Sequence, residues 1–190
     1  VLDNEGYSAL KLAAHSGHNE VLAKLLEYDA NGDVSGPCGQ TALILASENG
    51  HIDTVRLLLE HNASLDTKSS NGNTALIKAA SGGHIAVIEM LLQGGAALDT
   101  QGENGYSAFI AAAQSGQTAV LSVLSAAGAQ IDLQAEYGHS ALMRAAREGH
   151  DDSVCLLLEL RANIDLQGDF GYTALMLAAQ EGRVTVARTL

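Results

Sequence analysis

The chain has 190 residues and a formal net charge of −12, from 22 acidic and 10 basic side chains. This charge opposes binding to nucleic acid, because proteins bind phosphate backbones through Lys and Arg side chains that release counterions. No stretch approaches the roughly 18 to 20 apolar residues that span a bilayer, so membrane insertion is not expected. The two cysteines, Cys38 and Cys155, have neither disulfide nor zinc spacing, which favours an intracellular, cytoplasmic setting.

A short segment recurs six times along the chain at a constant spacing. Each copy starts with a glycine, has Ser or Thr two residues later, and continues with Ala and an apolar residue. The glycines are Gly6, Gly39, Gly72, Gly105, Gly138 and Gly171, a step of 33 residues throughout. A fixed period of this size indicates stacked structural repeats. We therefore predict a single domain, 1–190, with repeats at 1–33, 34–66, 67–99, 100–132 and 133–165 and a truncated repeat at 166–190.

Residues 67–99 show the elements of one repeat in chain order. Asn71-Gly72 is a tight-turn signal, and Thr74 is a predicted helix N-cap. A first helix is predicted over 75–81 and a second over 85–93, where apolar residues recur at helical spacing. Both helices are shorter than the roughly 12 to 15 residues at which isolated helices become marginally stable. Each pair must therefore be stabilised by packing against the next.

The repeated pattern resembles the ankyrin repeat family. One copy, residues 39–51, reads Gly-Gln-Thr-Ala-Leu-Ile-Leu-Ala-Ser-Glu-Asn-Gly-His. The resemblance covers essentially the whole chain and implies an all-α fold, an α-solenoid of antiparallel helix pairs with short β-hairpin or loop fingers. It also implies binding of a partner protein along the finger tips and the concave inner-helix face.

The repeats depart from the family pattern at defined positions. The family's Pro at the start of the first helix is Ala in every copy, as at Ala42. The residues in place of the family's His are Lys11, Ile44, Ile77, Ile110, Met143 and Met176. Most of these are apolar, so we expect apolar packing to replace a polar contact between repeats. Asp29, Asn62 and Arg161 replace the Gly before the closing Ala, and we expect strain at Arg161 in the left-handed region.

The two ends of the repeat array differ. Lys11 and Lys24 stand at positions that are apolar in most other repeats, and we interpret both as polar substitutions of a terminal cap. The last repeat stops at Leu190, inside a second helix, and has only Thr189 in place of an apolar residue. We therefore expect the array to continue past residue 190.

Two sets of recurring polar residues could suggest metal sites. They are His18, His51, His84 and His150, and Asp33, Asp66, Asp99, Asp132 and Asp165. The histidines occur once per repeat, so neighbours should lie roughly 10 Å apart. That is too far for one zinc ion with bonds of about 2 Å, so we interpret the histidines as structural. The aspartates are expected to accept hydrogen bonds from backbone amides at the base of a finger. No metal site, cofactor or catalytic group is predicted.

Aromatic residues concentrate at the predicted turns, mainly in the last three repeats. Exposed Tyr gives a large contact area at low entropic cost, which favours partner binding; the alternative is that each ring packs on the next finger. Acidic residues border the rings, so a partner with basic and apolar anchor residues would be complementary. The predicted partner-binding residues are Tyr7, Glu103, Tyr106, Glu136, Tyr137, His139, Arg147, Asp169, Phe170 and Tyr172.

The function predicted from these features is a non-enzymatic, monomeric scaffold that binds a protein or peptide. A second hypothesis makes the chain a recruiting or regulatory arm of a larger enzyme or channel, which flanking sequence would reveal. A third makes the chain itself an enzyme, which a bound metal or a deep pocket with convergent titratable groups would support.

Overall fold

The computed structural model of the chain describes residues 8–28 and 30–190. These residues form twelve α-helices and no β-strand, which confirms the predicted all-α fold class. They belong to two compact units, Val1–Ala97 (unit 1) and Leu98–Leu190 (unit 2). No helix in the described ranges is both long enough and apolar enough to cross a membrane.

Each unit consists of helix–turn–helix pairs. In unit 1 the helices are α1 Ala9–Ser16, α2 Asn19–Glu27, α3 Ala42–Glu48, α4 Ile52–Glu60, α5 Ala75–Gly82 and α6 Ile85–Gln93. In unit 2 they are α7 Ala108–Gln114, α8 Thr118–Ala126, α9 Ala141–Glu148, α10 Asp151–Glu159, α11 Ala174–Gln180 and α12 Val184–Thr189. The bounds predicted for residues 67–99 are confirmed, except that α5 extends to Gly82.

The first helix of every repeat begins at the predicted Ser or Thr. This side chain accepts a hydrogen bond from the backbone amide three residues later, at 3.2–3.4 Å. The residues are Ser8, Thr41, Thr74, Ser107, Ser140 and Thr173. The bond satisfies an amide that has no partner inside the helix and contributes about 1 kcal/mol. It therefore fixes where the chain enters each helix pair.

The core of each unit lies between successive first helices. In unit 1, α3 contacts both α1 and α5, and in unit 2, α9 contacts both α7 and α11. Ala46 and Ala146 are fully buried there. Ile44 and Met143, which replace the family's histidine, are 1% exposed, and this confirms the predicted apolar packing.

The recurring histidines have structural roles. The Nε2 atoms of His51, His84 and His150 each donate to a backbone carbonyl of the preceding repeat, at 2.9–3.0 Å. These bonds join one repeat to the next within a unit. The structural interpretation of these three residues is therefore confirmed.

The recurring aspartates also join repeats. The Oδ1 atoms of Asp33, Asp66, Asp99 and Asp132 accept hydrogen bonds from backbone amides of the following repeat, at 2.9–3.0 Å. The predicted bonds to backbone amides are therefore confirmed. Across residues 8–28 and 30–190, no three His, Cys, Asp or Glu side chains are grouped so that they could hold a metal ion.

The interpretation of Lys11 as a polar residue on an outer cap surface is wrong. Lys11 is only 2% exposed, and the equivalent Ile44 and Met143 are also buried. Met176 occupies this position on α11, which no further helix pair of the described residues covers, and it is 53% exposed. The position therefore faces the next repeat rather than solvent. Lys24, in contrast, is exposed and forms an ion pair with Glu27 at 2.6 Å.

The predicted left-handed backbone at the end of the second helix is present. Arg161 has φ 67° and Asn62 has φ 58°. Gly95 and Gly128 occupy the same position in other repeats and adopt positive φ without the steric cost of a Cβ. Asp29 lies outside the described residues.

Candidate functional site

The predicted site residues that the structure describes all lie in unit 2. Tyr7, the remaining one, falls outside the described residues. Most of the others lie on three fingers, the segments 100–106, 133–139 and 166–172, which lead into α7, α9 and α11. The site is therefore built on connecting segments whose positions depend on the helix pairs beneath them.

Each finger is a tight turn closed by backbone hydrogen bonds. Tyr106, His139 and Tyr172 each accept through the carbonyl oxygen from the amide four residues earlier, at 2.9–3.0 Å. The segments Glu103–Gly105 and Glu136–Gly138 form single 3₁₀ turns at the tips of the first two fingers. The fingers are thus loops rather than β-hairpins, and each presents its tip residues to solvent.

Two glutamine side chains connect the fingers of unit 2. Gln101 Nε2 donates to the carbonyl of Gly105 in its own finger, at 2.7 Å, and to that of Gln134 in the next finger, at 2.9 Å. Gln134 repeats this arrangement one repeat later, bonding Gly138 and Gln167. These bonds hold the fingers at fixed positions relative to one another, so the tip residues form a defined surface.

That surface carries large apolar groups and acidic groups together. Phe170 is 81% exposed, Tyr137 60% and Tyr172 40%. The carboxylates of Glu103, Glu136 and Asp169 are exposed on the same three fingers. We call these six residues the fingertip face: Glu103, Glu136, Tyr137, Asp169, Phe170 and Tyr172.

Tyr137 has an unusual backbone conformation. Its φ is 61°, in the left-handed region, where Asn104 lies at the equivalent position of the preceding finger with φ 54°. Asn tolerates this region, whereas an aromatic residue is strained there. Strain of this kind costs on the order of 1–3 kcal/mol and concentrates at functional sites. The strained, exposed ring is therefore a candidate contact residue.

A second group of side chains lies where the fingers meet the first helices. The Cζ atom of Arg144 on α9 lies 4.9 Å from the centroid of the Tyr106 ring, a cation–π contact. The ring centroids of Tyr137 and His139 are 6.5 Å apart. The Nε atom of Arg147 lies 3.3 Å from Glu181 Oε1. We call Tyr106, His139, Arg144 and Arg147 the arginine cluster.

Burial and mutual repulsion perturb the titration of this cluster. Burial lowers the pKa of His139, and the positive charges of Arg144 and Arg147 lower it further, against a smaller opposing effect of Asp169. Burial also lowers the pKa of Arg144 from its usual value. In both groups the main cause is burial, which disfavours the charged form, and the neighbouring Arg147 adds to it.

The phenol of Tyr106 belongs to the same electrostatic environment. Burial raises its pKa, and Glu148 acts in the same direction, while Arg144 and Arg147 oppose the shift. The ring is half-buried against Arg144. Tyr106 therefore contacts the guanidinium and remains partly exposed to solvent.

The sequence prediction did not include Arg144. Its repeat position is Leu12, Leu45 and Leu177 in three other repeats and Ala111 in a fourth. Charged residues occur there only as Lys78 and Arg144, and a charge at a mainly apolar position was the available signal. The structure brings together Tyr106, His139 and Arg147 through this unpredicted residue.

Comparison with known proteins agrees with the geometry. A family model described as ankyrin repeats in three copies matches residues 10–102, 63–135, 94–168 and 128–190. The crystal structure of the human ASB11 ankyrin repeat domain is similar, with a TM-score of 0.87 and 28% sequence identity. The match covers 96% of this chain and 81% of that one. A search of curated protein sequences gives no significant match.

Proposed function

Because the chain belongs to the ankyrin repeat family, whose repeats bind protein partners, we propose that it is a non-enzymatic scaffold that binds one protein or peptide through the fingertip face and the arginine cluster of unit 2. The observation that carries this proposal is the set of exposed aromatic side chains on fingers fixed by glutamine hydrogen bonds. Rigid, exposed aromatic groups are frequent energetic centres of protein interfaces.

The chemistry of the fingertip face indicates what a partner would present. Phe170 and Tyr137 offer apolar contact area, and the carboxylates of Glu103, Glu136 and Asp169 surround it. A partner segment with an apolar side chain flanked by Lys or Arg is complementary to this arrangement. Opposite charges at the rim mainly accelerate association and favour the correct orientation.

The aromatic rings of the proposed binding site differ in how far they are buried. Tyr106 is half-buried and stacked on Arg144, so its replacement changes packing as well as the surface. Tyr137 and Phe170 are the most exposed rings of the site. The test of the proposal therefore uses these two residues.

A selection from displayed random peptides tests the proposal directly. Peptides that bind the wild-type chain are synthesised, and their dissociation constants are measured by calorimetry with the Tyr137→Asn/Phe170→Asn variant. We expect weakening by about tenfold or more, the loss of about 1.4 kcal/mol that hot-spot residues give. The melting temperature should stay the same or rise.

Tyr28 provides a matched control, because it is an exposed tyrosine, 84% accessible, that lies in unit 1. Tyr28→Asn should leave the dissociation constants unchanged. Failure of every library to yield a binder would contradict the proposed function. Equal affinity of wild type and the double variant would place the binding surface elsewhere.

We also propose a reducing, intracellular compartment. Cys38 and Cys155 are both exposed and unpaired with each other. Free exposed thiols are characteristic of proteins that stay in reducing surroundings.

A further inference from the structure

The two cations at the same repeat position differ in their partners. Lys78 lies on α5 in unit 1, and its Nζ atom is 2.9 Å from Oε1 of Glu48 on α3. Arg144 occupies the position of Lys78 two repeats later, and Gln114 on α7 occupies the position of Glu48. The ion pair of unit 1 therefore has no equivalent in unit 2, because the acidic residue is replaced by a neutral one.

Arg144 has no carboxylate of its own. None of the ion pairs among the described residues includes it. Its Nε atom is buried without a hydrogen-bond partner, and the guanidinium contacts the Tyr106 ring instead. A buried guanidinium nitrogen without an acceptor is unfavourable in the free protein, because its hydration is lost and no hydrogen bond replaces it.

A second unpartnered atom belongs to the same cluster. The Nδ1 atom of His139 is also buried without a hydrogen-bond partner. His139 interacts electrostatically with Arg144 and Arg147. Two neighbouring side chains with buried atoms that lack hydrogen-bond partners indicate a site where a bound molecule would supply those partners.

We propose that Arg144 binds a side-chain carboxylate of the partner, from a Glu or Asp residue, in the place that Glu48 takes beside Lys78. This inference rests on the proposed peptide-binding function and specifies one residue of the partner. The partner segment would thus present an acidic residue to the arginine cluster and basic and apolar residues to the fingertip face.

The surroundings of Arg144 favour a carboxylate over a more highly charged group. A guanidinium binds a carboxylate through two parallel hydrogen bonds, and Arg144 takes part in none of the ion pairs among the described residues. Arg147 is already paired with Glu181, so only one guanidinium is available. The nearby carboxylates of Glu148 and Asp169 would repel a dianion more strongly than a monoanion.

Two peptide libraries that differ at one central residue test this inference. One has a fixed Glu and the other a fixed Gln, and both are displayed inside a carrier protein so that no free C-terminal carboxylate is present. Selection is performed on wild type, Arg144→Gln and Gln114→Glu. Gln114→Glu should fold normally, because it recreates the Glu48–Lys78 arrangement of unit 1. Melting temperatures verify that both variants are folded.

We expect the Glu library to yield more and tighter binders than the Gln library on wild type only. In a selected peptide, Glu→Gln should weaken binding to wild type by about tenfold, as expected for loss of a charge-assisted hydrogen bond. The same change in the peptide should have little effect on its affinity for Arg144→Gln, because that variant lacks the cation. It should also have little effect on affinity for Gln114→Glu, because the introduced carboxylate pairs with Arg144.

The outcomes separate this inference from the proposed function. Equal enrichment of the two libraries on wild type overturns the role of Arg144 but leaves peptide binding intact. A Glu preference that persists in Arg144→Gln also overturns it. If neither library binds wild type, the proposed function fails, and the inference fails with it.

Discussion

The same repeat positions are used differently in the two units. In unit 1 they hold Gln40, Glu48, Asn73 and Lys78, and in unit 2 they hold Tyr106, Gln114, His139 and Arg144. Unit 1 neutralises its cation internally through the Glu48–Lys78 pair. Unit 2 stacks its cation on an aromatic ring and leaves buried polar atoms without partners.

The backbone frame, in contrast, is the same in both units. The N-cap hydroxyls, the His Nε2 bonds and the Asp Oδ1 bonds recur with nearly equal distances in unit 1 and unit 2. Substitutions at the positions between these bonds can therefore change the surface without changing the fold. The comparison teaches that one frame can carry an internally paired cation in unit 1 and an unpaired one in unit 2, through exchanges at four positions.

The largest expected effect concerns the shared frame. Ile44→Ala in unit 1 and Met143→Ala in unit 2 should each lower the free energy of unfolding by about 2–4 kcal/mol, because both side chains are 1% exposed. Met176→Ala at the same repeat position should cost less than about 1 kcal/mol, because that side chain is mostly solvated. Urea titration followed by circular dichroism measures all three. A large loss for Met176→Ala would contradict this explanation.

The next effect concerns strain at a fingertip. Tyr137→Asn should raise the free energy of unfolding by about 1 kcal/mol, because Asn adopts positive φ more readily than Tyr. It should also weaken binding of selected peptides. Asn104→Tyr, the reverse change one repeat earlier, should lower stability by a similar amount. Destabilisation by Tyr137→Asn would show that the ring packs on its neighbours and is not primarily a contact residue.

A smaller effect is expected from exchanging the ion-pair positions. Gln114→Glu should stabilise the chain by about 0.5 kcal/mol through a new pair with Arg144, and Glu48→Gln should destabilise it by a similar amount. Both values are small because the sites are partly solvated. Raising the salt concentration should reduce each effect. If the stability of both variants equals that of wild type, the proposed equivalence of Lys78 and Arg144 is wrong.

The smallest effect is a pH dependence from His139. Its pKa is lowered in the folded chain, by burial first and then by Arg144 and Arg147. The unfolded chain therefore binds more protons as the pH falls below the usual value near 6.5. The contribution of His139 to stability is thus fully present above that pH and is lost as the pH falls toward its lowered value in the folded chain.

Replacing His139 tests this contribution. His139→Asn introduces the residue that unit 1 has at this position, Asn73. The stability difference between about pH 7.5 and about pH 5.5 should become smaller in the variant. Denaturant titrations at both pH values measure it, and an unchanged difference would assign the pH dependence to other groups.

Much of the fold could be predicted from the sequence because the responsible interactions are local. The N-cap bond of Thr74 joins residues three apart, and the bounds of α5 and α6 follow from that cap, a glycine and the helical spacing of apolar residues. The period of 33 residues then extends this local result to every repeat. The same regularity indicated that the recurring histidines and aspartates are structural, but it did not show that their hydrogen bonds join one repeat to the next.

Tertiary structure decided which side chains of one repeat meet those of the next. Lys11 reads as a polar cap residue in sequence, yet it is buried, since its position faces the following helix pair. Arg144 was not singled out in the sequence, yet it contacts a ring 38 positions earlier in the chain and lacks the carboxylate that Lys78 finds in Glu48. Burial and pairing of this kind depend on distances between repeats, and no local pattern specifies them. The sequence alone thus determined the repeating frame, and the packing between repeats determined which charged side chains are buried and which are paired.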